Sequence, residues 1–324
     1  MSSNELPFYT QAALLDKYIQ DIDPSRDKEI IEVIVDVLRK RKDLRQYFFR
    51  NRPSSQWANI LWENGFFDSP PPPLETNEGV FSLPYWDVQG FLHEVANEAP
   101  EVVLSHNQTI ESNGYYISQA IRALCRVSPN IAVMGKENII DWVNDPNIAG
   151  GILDEVYDYI VLLFQGELFD DALDVFNELS KPRLASEFEV RGTRQSTHEP
   201  VVTLYDNLMG IEYHEVNVLG ELTARMPAII SEALSEHLGN SLKLEGVLLE
   251  KPEYEKHSWW RVAVEETGQD LGNSAKDKIL KRFIQALTDW ANSDFSTFSQ
   301  YLANLFDDSR KIIYRVGLYF LHKY

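Results

Sequence analysis

Apolar positions recur at helical spacing along most of this chain. Ile152, Leu153, Val156, Tyr159, Ile160, Leu163 and Phe164 fall on one side of a helix, and Leu168, Phe169, Ala172, Leu173, Phe176 and Leu179 repeat the pattern directly afterwards. The same spacing predicts helices over 84–98, 100–112, 114–127, 136–144, 151–165 and 168–180. The breaks between them are short: Ala99-Pro100, Asn113-Gly114, Ser128-Pro129, Asp145-Pro146 through Gly150-Gly151, and Gly166. Upstream, Pro7 to Ile22 predicts a first helix carrying Ala12, Leu15, Tyr18 and Ile19. Asp23-Pro24 reads as an N-cap followed by proline at the first helical position, opening a helix that presents Ile30, Ile31, Ile34, Val35 and Leu38. Pro53-Ser54 starts another helix, bearing Trp57, Ile60 and Leu61 and stopping at Gly65, the residue type that best accepts a left-handed helix end. Helical sequence resumes at Pro227, with strong patterns over 273–292 and 310–324.

Short loops between amphipathic helices make antiparallel neighbours, and a long succession of them makes a bundle or a stacked array. The expected fold is all-α: irregular stacked helical hairpins, α-solenoid-like, with little or no strand. Five stretches follow: an N-terminal helical cap region 1–65, a Pro-rich connector 66–83, a helical repeat region 84–180, an irregular insert or corner 181–226, and a C-terminal helical region 227–324. Pro70–Pro73 cannot be helical and should form a stiff extended spacer, with a docking strip for a proline-recognising partner as the lesser alternative. Val201–Tyr205 would suit a strand but has no obvious partner. The last helix stops in mid-pattern without a cap, so the chain is expected either to be part of a longer protein or to pack that helix on a partner.

The segment Leu162-Leu-Phe-Gln-Gly166-Glu-Leu-Phe-Asp-Asp-Ala172-Leu-Asp-Val-Phe176 resembles a tetratricopeptide-type helix–turn–helix, with Ala172 and Phe176 as a small/large pair one turn apart. The pairs 84–112 and 114–144 resemble HEAT or armadillo arrays. Trp57-x-x-x-x-Trp62-x-x-Gly65-Phe66-Phe67 with Pro70–Pro73, and Ser258-Trp259-Trp260-Arg261-x-Ala263-x-Glu265, are similar to N-terminal helical regions of large bacterial multidomain proteins, some of them in anti-phage defence. The resemblance implies a scaffold that works by holding a partner, and it carries over no catalytic residue.

Charge narrows the picture. The 324 residues carry a net −20, which argues against a generally basic nucleic-acid binder. Residues 39–52 nevertheless hold seven of the 30 basic residues against one of the 50 acidic ones. Arg39, Arg41, Lys42, Arg45, Arg50 and Arg52, interleaved with Tyr47, Phe48 and Phe49, are therefore the candidate contacts to nucleic acid or to an acidic protein surface. The plainer alternative is a solvated helix end whose cations favour the helix dipole and pair with the acidic remainder. A single cysteine cannot form an internal disulfide, and neither a signal sequence nor a long apolar run is present, so a cytoplasmic location with no membrane contact is expected.

Motifs for chemistry are absent: there is no phosphate loop, no Gly-x-Gly-x-x-Gly, no Gly-x-Ser-x-Gly and no His-Glu-x-x-His. His198-Glu199 and His214-Glu215 could meet to ligate a metal, but scattered surface polarity explains them better. Cys125 lies between Arg122 and Arg126, which could lower its pKa, although an inert core position is the commoner role. The expectation is a non-catalytic scaffold for protein–protein interaction without cofactor or metal. The alternative is a nucleic-acid-associated subunit using residues 39–52.

Overall fold

A computed structural model describes residues 8–77, 80–111, 113–184, 202–204, 212–249 and 274–324, which divide into two compact units, Met1–Asp171 and Ala172–Tyr324. Helices dominate both units, and strand is confined among the described residues to two short antiparallel ribbons. The chain is all-α.

The first unit opens with α1 (Phe8–Tyr18), α2 (Lys28–Lys40), α3 (Lys42–Arg50) and α4 (Gln56–Glu63). Helix α2 starts at Lys28 rather than at Pro24 because Asp23 is used locally. Its carboxylate accepts from the Ser25 N–H and hydroxyl at 2.9 and 2.6 Å, and Asp27 accepts from the Asp23 N–H at 3.0 Å, closing a turn first. Arg41 is extended at φ −120°, ψ 95°, and divides α2 from α3. The apolar sides of α2 and α3 point inward: Ile34, Val35, Val37 and Leu38 are buried, as are Leu44, Phe48 and Phe49. Phe48 meets the fully buried Trp57 of α4 edge-on at 5.0 Å. Helix α4 ends as Gly65 predicts. Gly65 sits at φ +71°, its N–H donates to Trp62 O, and Phe66 N–H reaches back to Leu61 O, the paired bonds of a Schellman end.

The proline connector does more than space two helical regions. After Pro73 it forms a hairpin, β1 (Leu74–Asn77) against β2 (Val80–Ser82), irregular between Glu75 and Asn77. Then come α5 (Asp87–Glu94), α6 (Pro100–Thr109), α7 (Gly114–Leu124), the single turn α8 (Pro129–Ala132), α9 (Lys136–Asn144) and α10 (Leu153–Gln165). Helix α7 is central: α5, α6 and α10 all pack on it, and Tyr116, Ile117, Ala120, Ile121, Ala123 and Leu124 are buried. Glu155 of α10 is buried, and it is held by Arg122 at 2.6 Å.

The unit boundary falls inside α11 (Phe169–Ser180), whose Ala172 and Phe176 are both buried. In the second unit Arg183–Leu184 (β3) pairs with Val202–Thr203 (β4), so the strand expected near Val201 does find a partner. The region 181–226 is also partly regular, because α12 (Glu212–Arg225) occupies its end. Helices α13 (Pro227–Leu248) and α14 (Ala275–Ser293) form the main packed pair, with Ile230, Leu234, Leu238 and Leu242 buried on one and Ile279, Leu280, Phe283 and Leu287 on the other. Helices α15 (Phe295–Asp307) and α16 (Lys311–Lys323) close the unit around Phe298, Val316 and Phe320. Caps are local: the Ser274 side chain accepts from Asp277 N–H, and that of Asp294 from Thr297 N–H. No helix among the described residues is long and apolar enough to cross a membrane.

Candidate partner-binding cleft

The basic run is sorted by the helix that carries it. Leu44, Phe48 and Phe49 turn one side of α3 inward, and Lys42, Arg45 and Arg50, one or two positions away from them, stay partly or fully exposed. Together with Arg39 from the last turn of α2, they line one side of a cleft of about 790 Å³ in the first unit. The rest of the lining is the stretch that follows α4: Phe66, Pro70–Pro72, Leu74, Pro84 and Tyr85, with Trp86 and Asp87 at the start of α5. Packing of α3 on α5, including Phe49 against Phe91 at 5.8 Å, brings the two walls together.

The proline wall is fixed from behind. The hydroxyl proton of Tyr116 on α7 lies between the Pro84 carbonyl at 2.8 Å and the Pro71 carbonyl at 3.2 Å, so one side chain holds both ends of the hairpin. Trp86 is buried and meets Tyr116 edge-on at 5.7 Å. Tyr85 behaves differently, remaining 65% exposed. It lies across α5 at Gly90, where an added Cβ would come within 1.6 Å of its hydroxyl oxygen. Only glycine at 90 leaves this ring where it is.

The cations differ in what already occupies them. Arg39 donates to the Asn64 carbonyl at 2.6 Å and stacks over Phe66 at 5.8 Å from the ring centre. Lys42, Arg45 and Arg50 make no ion pair among the described residues, and the acid that shares their cleft is Asp87. Burial holds the Asp87 carboxyl above its ordinary range, and Arg45, Arg50 and Lys42 offset that in part through their charge.

Two of the six predicted contacts lie elsewhere. Arg41 pairs with Asp43 at 2.8 Å, donates to Gln11 at 3.1 Å and covers Phe8, so it is spent on fastening α1 to α3. Arg52, at φ +50°, lines a separate depression with His93 and Arg126. Lys40, also in the run, pairs with Asp36 four residues back. The interleaved aromatics are engaged within the unit: Phe48 and Phe49 are core, and Tyr47 donates to Asp16 at 2.7 Å. Sequence reasoning missed Asp87, Tyr85 and Gly90, although the aromatic and proline content of 57–86 marked their neighbourhood.

The remaining candidates form no second site among the described residues. Cys125 is partly exposed, yet its thiol points at the Glu155 carbonyl at 3.9 Å, and burial, with Asp158 and Glu155, pushes its pKa up, the opposite of an activated thiol. His198-Glu199, and the Trp259-Trp260 motif, lie outside the described residues, and His214-Glu215 fall in the first turn of α12. Among the described residues no three His, Cys, Asp or Glu side chains converge on a metal-sized site. Protein-family models, curated proteins and solved structures contain no match to this chain.

Proposed function

We propose that this chain is a non-catalytic helical-repeat scaffold that binds a protein partner, with the Arg39–Arg50 cleft as its docking surface. The observation that carries the reading is the cleft itself: Lys42, Arg45 and Arg50, free of ion pairs among the described residues, share it with the apolar Pro70–Pro72, Leu74 and Pro84. Solvated cations beside exposed apolar surface are complementary to an acidic partner that also carries apolar side chains. The repeat character rests on the sequence resemblances in residues 84–144 and 162–176, and a place in a larger bacterial assembly of the anti-phage defence kind on that in residues 57–73 and 258–265; both belong to the same proposal.

A second reading is a nucleic-acid-associated subunit, favoured by the row of four cations beside the exposed ring of Tyr85. Affinity capture by the tagged full chain from its native host separates the two. The expected result is a protein partner that survives nuclease treatment and is lost from a Lys42→Glu, Arg45→Glu, Arg50→Glu variant. Retention by that variant removes the cleft from the proposal, and loss on nuclease treatment favours nucleic acid.

A further inference from the structure

Resting on that docking role, we infer that the cleft takes an extended acidic peptide segment of the partner, whose carboxylates run along Lys42, Arg45 and Arg50. Three features of the cleft lead there. The first is its length. Lys42 to Arg50 spans about 12 Å at the helical rise, a distance that an extended chain covers in about four residues. The second is its asymmetry. One wall is cationic and the other is made of Pro70–Pro72, Leu74 and Pro84. An extended peptide sends alternate side chains to opposite sides, so acidic residues alternating with apolar ones satisfy both walls at once. The third is its chemistry. The cleft already holds one carboxylate, Asp87, among three cations.

Single-stranded nucleic acid fits less well. Such sites stack successive bases on successive rings. Here Tyr85 is the exposed ring, Phe66 is covered by Arg39, and Trp86 is buried. A long polyanion would also extend beyond the local basic wall into the field of a chain whose net charge is −20.

The test uses the full chain and a fluorescein-labelled octapeptide alternating glutamate with valine, followed by fluorescence anisotropy. A glutamine–valine octapeptide and an oligothymidylate of similar length serve as comparisons. The expected result is binding of the glutamate peptide alone, weakened about tenfold or more by Lys42→Glu or Arg45→Glu. Asp87→Asn should tighten it, because a carboxylate that repels the peptide within the cleft is gone. Thermal melts of the Lys42 and Arg45 variants, expected to match wild type at these positions outside the core, exclude unfolding as the cause of their loss. Equal binding of the glutamine peptide, weaker binding by Asp87→Asn, or preferential binding of oligothymidylate would each overturn the inference. If captured partner depends on the cleft while the glutamate peptide does not bind, the inference fails and the docking role stands. If neither depends on the cleft, both fail.

Discussion

His106 sits beneath the aromatic wall of the cleft, 5.6 Å from Trp86 and 5.4 Å from Phe67, and it is almost wholly buried. Its Nε2 lies 3.1 Å from Gln89 Nε2, which also donates to the Tyr116 carbonyl at 2.8 Å. An amide nitrogen can only donate, so the ring nitrogen accepts, and the neutral ring carries its proton on Nδ1. That Nδ1 has no hydrogen-bond partner among the described residues, and burial lowers the pKa to about 4. The consequence has a definite sign. Below the unfolded value near 6.5 the unfolded chain takes up a proton that the folded chain refuses. Stability from this group is therefore fully present above pH 6.5 and is lost as the pH falls toward about 4, up to roughly 3 kcal/mol in all. His106→Gln, which keeps a partner for Gln89, should flatten the loss of stability across that window by about one proton. Urea unfolding at a series of pH values measures it, and an unchanged slope would show that the ring is not held neutral. Gly90 carries a second residue-scale expectation: Gly90→Ala must dislodge Tyr85, so binding at the cleft should weaken while Lys42, Arg45 and Arg50 stay as they are.

At the scale of elements, the hairpin β1–β2 hangs on few contacts. Its strands are short, an isolated ribbon of this size is marginal in water, and Tyr116 supplies the fastening to α7. Tyr116→Phe keeps the ring against Trp86 and removes only the hydroxyl. The expected cost is about 1–2 kcal/mol, with the hairpin opening before the core. Limited proteolysis should then cut within the 74–82 segment faster than in wild type, and equal cleavage rates would mean that the prolines alone hold the wall. This same hairpin marks where sequence reading stopped. Helix α9 begins and ends at the residues expected, 136 and 144, because a strong apolar pattern and clear breaks coincide there. The hairpin and the pairing of Arg183–Leu184 with Val202–Thr203 involve too few residues for a period-two pattern to emerge. Helix α2 started late because Asp23 chose its own turn over the helix N-terminus. For the cleft, the density of cations in 39–52 was legible, but which of them face the cleft depends on Arg41 breaking the helix and on Phe48 and Phe49 choosing the core. Asp87, Tyr85 and Gly90 join them only through the packing of α3 on α5, a contact between segments that no local pattern encodes.

At the scale of the whole molecule, a basic cleft belongs to an acidic chain, and the two act on an anionic ligand at different distances. Residues 39–52 carry a local excess of six positive charges, while the remaining 23 basic and 49 acidic residues leave the rest at −26. The Debye length is about 30 Å at 0.01 M salt and about 8 Å at 0.15 M. At low salt an approaching acidic peptide therefore feels the net −20 of the chain before it reaches the cleft, and encounter is slowed. Added salt first screens that long-range repulsion and only later the short-range attraction of Lys42, Arg45 and Arg50. Dissociation depends on the short-range contacts alone. The association rate of the glutamate–valine peptide should accordingly rise with salt, pass a maximum and then fall, while the dissociation rate increases throughout. A cleft whose attraction dominated at every distance would instead give an association rate falling steadily from the lowest salt. Stopped-flow anisotropy from about 0.01 to 0.3 M salt distinguishes the two curves. Charge reversal at Lys42 should lower the attraction and shift the maximum to higher salt.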